Sequence, residues 1–225
     1  MQSERRLELA CFNIESAIIA EKAGAHRIEF AKNYLVGGLS PTQQEIAEVR
    51  DKIKIPIHVL LRPHANHFQY SDSEKIQMIK DIRFCKKIGI NGIVFGALTK
   101  NNLIDEDFCK KLIAESSGLH IVFHRAIDKT SDIFNAVQLL INLGFHSVLT
   151  SGAQFTAING IPALEKLHFQ FGTQINIIPG GEIRASQFPE LLKTNCKEFH
   201  SAALSKGESI CNQKEIEQLL QKIRS

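Results

Sequence analysis

No Cys-x-x-Cys pair occurs in these 225 residues, and the five cysteines, Cys11, Cys85, Cys109, Cys196 and Cys211, are odd in number and widely spaced. That pattern argues against a disulfide framework and a zinc ribbon, and predicts reduced thiols in a cytoplasmic protein. The only methionines are Met1 and Met78, so there is no soft-ligand cluster of the kind Cu(I) prefers. No window approaches the roughly 18 apolar residues that a membrane span requires, and a membrane is not an expected partner. The opening residues, Met1-Gln-Ser-Glu-Arg-Arg-Leu-Glu8, carry no apolar signal stretch. Basic residues never run beyond a pair, and 27 Lys and Arg against 24 Asp and Glu leave a net charge of +3. Nucleic acid is therefore not an expected partner either. Gly-x-Gly-x-x-Gly, the mark of a dinucleotide-binding open sheet, does not follow the first strand-like run.

What is present is one unit, repeated: a short β-branched run, a polar loop, an amphipathic helix, a glycine and another run. Leu7–Cys11 opens the series, Asn13 can cap a helix carrying Ile14, Ala17 and Ile18, and Gly24 ends it. After the run His26–Phe30, Ser40-Pro41-Thr42-Gln43 reads as a helix start with Ser40 as the cap. Further runs at 57–61, 92–95, 120–123, 147–150, 175–178 and 198–201 alternate with helical stretches at 73–88, 105–115, 132–143, 162–169, 186–193 and 214–224. Asn212 is the expected cap of the last helix. Gly24, Gly89 and Gly144 stand at three similar helix-to-strand junctions. Eight such units over the whole chain, 1–225, predict one domain, a closed parallel (βα)8 TIM barrel, in preference to an open doubly wound sheet.

Ligand sites in these barrels are built from the loops after the strands. The strand ends here are polar: Cys11 and Asn13, Glu29, Arg62-Pro63-His64, His124-Arg125 with Asp128, Ser151-Gly152, Gly180-Gly181 with Arg184, and His200. His124 paired with Glu29 or Asp128 can move a proton near neutral pH, or can instead be a histidine bonded to a neighbouring loop. Arg62 and Arg125 can grip a carboxylate or phosphate, or tie loops together by pairing with Glu29 and Asp128. Ser151-Gly152 and Gly180-Gly181 can bare backbone N–H groups to an anion, with His200 beside them, or serve as turns. His64-Ala-Asn-His67 reads as a solvated loop more than as a metal site, and Cys11 is the one cysteine placed at the rim.

Taken in order, Leu7-Glu-Leu-Ala-Cys11, Gly24-Ala-His-Arg-Ile-Glu29, Gly37-Gly-Leu-Ser-Pro41, Tyr70-Ser-Asp72, Phe95-Gly-Ala-Leu98, Phe123-His-Arg-Ala126, Leu149-Thr-Ser-Gly152, Pro179-Gly-Gly181 and Glu198-Phe-His200 resemble the CutC copper-homeostasis family over nearly the whole chain. The resemblance implies a cytoplasmic barrel that binds or traffics copper ion, and members that form homodimers. It also implies Cys11 as a copper ligand. The family's second such cysteine corresponds to Ala31 here, and its Arg-Pro-Arg-Gly-Gly-Asp loop to Arg62-Pro-His-Ala-Asn-His67, where His64 or His67 could replace the lost ligand. The residues themselves support a second reading: an enzyme acting on a small anionic metabolite, carboxylated or phosphorylated, at the barrel mouth. In that reading His124 carries the proton, Glu29 or Asp128 tunes it, and Arg62 and Arg125 hold the anion.

Overall fold

A computed structural model of the protein, which describes residues 5–224, has eight parallel strands wrapped by helices. The strands are β1 (Arg6–Cys11), β2 (Arg27–Phe30), β3 (Ile57–Leu60), β4 (Gly92–Phe95), β5 (His120–Phe123), β6 (Ser147–Thr150), β7 (Asn176–Pro179) and β8 (Glu198–Ser201). Between and after them lie α1 (Ile14–Ala23), α2 (Gln43–Lys52), α3 (Asp72–Lys87), α4 (Glu106–Glu115), α5 (Ile133–Leu143), α6 (Ile161–Phe171), the short α7 (Phe188–Leu191) and α8 (Gln213–Arg224). Strands pair in the order β7-β6-β5-β4-β3-β2-β1-β8, and a single parallel bridge between Gly180 and His200 brings β7 to β8. The fold is the expected TIM barrel.

Local chemistry explains most element boundaries. Asn13 caps α1 by accepting the Ser16 N–H at 2.8 Å, and Asn212 accepts the Glu215 N–H at the start of α8. Gly24 and Gly144 end their helices in the left-handed region, at φ 93° and 89°, where an L side chain would be strained. The α2 cap, however, is Thr42, which forms a reciprocal capping box with Glu45. Ser40 is drawn elsewhere: its Oγ accepts the Arg62 N–H at 2.7 Å and ties the loop after β2 to the end of β3. The helix expected over 186–193 is also broken, into a 3-10 turn, the four residues of α7 and a second 3-10 turn.

Alternation along each strand separates two environments. Leu7, Leu9, Cys11, Ile28, Phe30, Ile57 and Val59 join the large apolar layer between strands and helices. Ala31, Leu60, Val94, Val122, Leu149 and Ile178 form a smaller apolar layer inside the barrel. Beneath that inner layer, toward the N-terminal ends of the strands, the interior is polar. The His58 and His120 rings stack at 5.1 Å, and His120 stacks on His146 at 4.8 Å. Arg27 spans two carboxylates there, Glu8 at 2.5 Å and Glu198 at 2.6 Å. Gly92 must lack a side chain, because a Cβ would meet the His58 ring at 2.4 Å.

Candidate functional site

The mouth opens onto a cavity of about 800 Å³ whose lining includes Ala10, Glu29, Arg62, Phe68, His124, Arg125, Asp128, Lys129, Gly181, Arg184 and His200. Leu60 and Leu149 of the inner apolar layer also line it. On the β1–β2–β8 side the small side chain of Ala10 leaves room, and the cavity reaches down to Glu29 and His200.

His124 is 5% exposed and follows directly on β5. Its Nδ1 accepts the Ala126 N–H at 3.2 Å, which fixes the tautomer with the proton on Nε2. That Nε2 is buried and has no hydrogen-bond partner among the described residues. Burial, reinforced by the Arg62 charge, lowers the His124 pKa to about 3. The ring is thus a neutral hydrogen-bond donor at physiological pH. The expectation that His124 shuttles a proton near neutrality does not fit this environment, which refuses the charged form.

Asp128 does not pair with His124. Its carboxylate accepts the Ser151 N–H at 3.1 Å, the Ala153 N–H at 3.1 Å, the Thr150 hydroxyl at 2.5 Å and the Ser151 hydroxyl at 2.9 Å. Arg125 Nε closes on it at 2.9 Å. The backbone donors after β6 that were expected to hold a ligand anion therefore hold an internal one. Gly152 donates its own N–H to Thr150 Oγ1. Gly180 closes the ring against His200, and a Cβ on it would meet Leu149 at 2.5 Å. Gly181, at φ 117°, lies against Arg125, whose Nη1 would stand 2.9 Å from an added Cβ.

Arg62 is spent on backbone. It donates to the carbonyls of Val36 at 2.8 Å, Gly38 at 3.0 Å and Ala65 at 2.8 Å, and its guanidinium lies 5.0 Å from the centre of the Phe68 ring. It fastens two loops, and its expected pairing with Glu29 does not occur. Lys129, which the sequence reading passed over, lines the cavity with no charged partner among the described residues.

Glu29 is 5% exposed, and its Oε2 finds no hydrogen-bond partner. Burial, with the nearby negative charge of Glu8, raises its pKa to about 7 against the opposing pull of His200 and Arg27. His200 Nδ1 stands 2.8 Å from Glu8 Oε1. Burial works to lower the His200 pKa, yet Glu29 and Glu8 outweigh it and raise it. Burial likewise opposes the ionised form of Glu8, but Arg27, His200 and His58 hold its pKa well below the usual carboxylate range. Glu29 thus couples to His200 and Glu8 rather than to His124. Glu8 is a site residue that sequence reading missed. Its signal was available: a lone charge between Leu7 and Leu9, in a fold whose outward strand face is covered by helices.

Cys11 is not at the rim. It is fully buried in the layer between strands and helices, its Sγ bonds Leu9 O, and burial raises its pKa well above the usual thiol value. Ala31 belongs to the inner layer, on the opposite face of the sheet. A thiol at position 31 would not share a face with Cys11, so these two positions do not form a two-sulfur Cu(I) site. His64 and His67 brace their own loop, with rings 4.5 Å apart and bonds to Gln69 O and Gln69 N respectively.

Among the described residues no helix is long and apolar enough to cross a membrane. Residues 5–205 match the CutC family model. A copper homeostasis protein cutC homolog from Mus musculus is 38% identical over 204 residues, covering 90% of this chain and 75% of that protein. A CutC family protein from Pasteurella multocida is 39% identical over 196 residues, 87% of this chain and 80% of its own. The crystal structure of a CutC protein from Streptococcus agalactiae superposes with a TM-score of 0.83 at 29% identity, covering 88% of this chain and 98% of that one.

Proposed function

The chain belongs to the CutC family, and from that premise we propose that its copper-homeostasis label describes an outcome of chemistry on a small anionic metabolite bound at the barrel mouth. The observation that carries this reading is His124: a neutral, nine-tenths buried donor whose Nε2–H has no partner and whose ring lines the cavity. A desolvated donor held there gains its bond when a carbonyl or an oxyanion arrives. Burial, reinforced by the Arg62 charge, keeps the ring neutral. Lys129, with Arg125 at the cavity wall, supplies the positive charge for a carboxylate or phosphate.

Copper(I) bound to Cys11 is the weaker reading of the same family name, because the donor set does not suit it. The thiol is enclosed, its pKa is raised, and the groups around the open cavity are imidazole, guanidinium, ammonium and carboxylate, hard or borderline in character. A cytoplasmic location is supported by five cysteines that are all unpaired and all buried.

A thermal-shift screen against carboxylated and phosphorylated metabolites tests the proposal. One ligand class should raise the melting temperature of the native chain, by linkage to the folded state, and fail to do so in His124→Gln and Lys129→Gln. No shift at millimolar ligand across the panel would overturn it.

A further inference from the structure

We infer that Glu8, Glu29 and His200 form a binding site for one divalent first-row transition-metal ion at the floor of the mouth cavity. One ligand atom from each of the three lies within 4.8 Å of the other two. They come from the inward faces of three adjacent strands, β1, β2 and β8, held in register by the Ala10–Glu29 and Glu8–His200 pairings. The inference takes the same cavity that the proposed function uses, and adds to it a cation that reading does not require.

Two independent observations point to a missing ligand. Glu29 is nine-tenths buried, lines the cavity, and leaves Oε2 without a hydrogen-bond partner. An enclosed carboxylate oxygen with nothing to accept from is costly unless something else occupies its lone pairs. The charges tell the same story. Among the described residues Glu8, Glu29 and Glu198 gather around the guanidinium of Arg27, which is bonded to Glu8 and Glu198. Once Glu29 is ionised and His200 neutral, as ligation requires, the three carboxylates exceed the guanidinium by two negative charges, which one divalent ion balances.

The donor geometry fits such an ion. Arg27 holds Glu8 by Oε2, and Oε1, hydrogen-bonded to His200 Nδ1 at 2.8 Å, is the oxygen a metal would take in place of that bond. Bonds of about 2.0–2.2 Å to nitrogen and oxygen put neighbouring tetrahedral donors roughly 3–3.5 Å apart, so separations of up to 4.8 Å need to close by at most about 1.3–1.8 Å. One imidazole and two carboxylates make a borderline-to-hard set without sulfur, suited to Zn²⁺ or Mn²⁺. Three protein ligands leave a fourth position open toward the cavity, as in metal sites that bind a substrate oxygen.

The test is calorimetric titration of the metal-stripped full chain with Zn²⁺ and with Mn²⁺, in the absence of any metabolite. One ion per chain should bind, and X-ray absorption at the zinc edge should show one imidazole nitrogen and carboxylate oxygens with no sulfur. Glu29→Gln, which keeps the shape and removes the charge, should weaken binding at least about 100-fold, the upper limit for loss of an outer-shell partner. The double variant His64→Ala/His67→Ala should bind as the native chain does. Affinity no tighter than millimolar, sulfur in the zinc shell, binding undiminished in Glu29→Gln, or binding lost with the loop histidines would each overturn the site. Repeating the metabolite screen with and without Zn²⁺ separates the two claims. An ion bound without any metabolite response leaves this site standing and sinks the proposed function, and a metabolite response without ion binding does the reverse.

Discussion

The carboxylate of Asp128 fills the ring of donors after β6, and replacing it with alanine should open an anion site at that turn, which the carboxylate now closes. Asp128 receives two backbone N–H groups, two hydroxyls and the Arg125 Nε, with its side chain 6% exposed. Asp128→Ala strands those donors. A buried donor left unpaired costs about 1–3 kcal/mol, and removing one partner of a buried charged pair about 3–5 kcal/mol. Because Arg125 is 39% exposed and the cavity can admit water, the lower end applies, a loss of about 3 kcal/mol. The vacated N–H groups and guanidinium are an anion trap. For a dissociation constant of about 1 mM, about 50 mM phosphate should return roughly 2.3 kcal/mol to the variant, from RT ln(1 + [L]/Kd). Urea unfolding of native chain and variant, in phosphate and in chloride at equal ionic strength, reads both numbers. Asp128→Asn, which keeps the acceptor oxygen, should lose less. A destabilisation below about 1 kcal/mol, or a phosphate response as large in the native chain as in the variant, would refute the reasoning.

His58, His120 and His124 are all held neutral by burial, His120 and His124 with pKa values lowered to about 3. Their folded pKa values lie below the unfolded value of about 6.5, so the unfolded chain takes up protons that the folded one refuses. The contribution of His120 and His124 to stability is complete above about pH 6.5 and is lost as pH falls toward 3, at up to about 1.4 kcal/mol per pH unit for each ring, and that of His58 falls in the same direction. Unfolding midpoints of the native chain and His124→Gln between pH 4 and 7 should differ in slope by that amount, and parallel profiles would count against it. Gly181→Ala puts a Cβ at φ 117° and 2.9 Å from Arg125 Nη1, and should cost about 1–3 kcal/mol in a urea titration. Because all five thiols are buried, a thiol reagent should label none in the native state at neutral pH and all five in urea; fast native labelling of Cys11 would restore it to the rim. Cys11→Ser should likewise leave Cu(I) affinity unchanged while costing about 1–3 kcal/mol for a hydroxyl in an apolar layer, as read by competition with a chelator and by unfolding.

The unit count, seven of the eight helices and the caps at Asn13 and Asn212 were legible because each rests on local chemistry. The short, broken α7 was not, since its Pro189 and its two 3-10 turns disturb a pattern that still reads as amphipathic. His124, Arg125, Glu29 and His200 line the mouth cavity, which is built at the strand ends in this fold. Their partners were not legible. Asp128 is near His124 in the chain, but its bonding is decided by the turn after β6, which no spacing rule specifies. Cys11 was misplaced by one step of strand parity. It ends an apolar run, and only the inward-facing Glu8 and Ala10 reveal that odd positions in β1 face the helices. The same parity, applied to His58 in Ile57-His-Val59 and to Glu8 in Leu7-Glu-Leu9, would have exposed the polar lower interior.

The Gly180–His200 bridge has a mechanical meaning. A ring of strands held all round by ladders, yet joined at one place by a single backbone bridge, behaves as a bracelet with a clasp. The residue on one side of that clasp is also the one that reaches toward Glu8 and Glu29. Slow breathing of the ring, the kind read by amide exchange at positions 180 and 200, would then be the same motion that uncovers the floor of the cavity. Anything that fastens His200 from inside would slow that exchange at both flanks of the clasp at once, and do so far less at the β3–β4 ladder across the barrel.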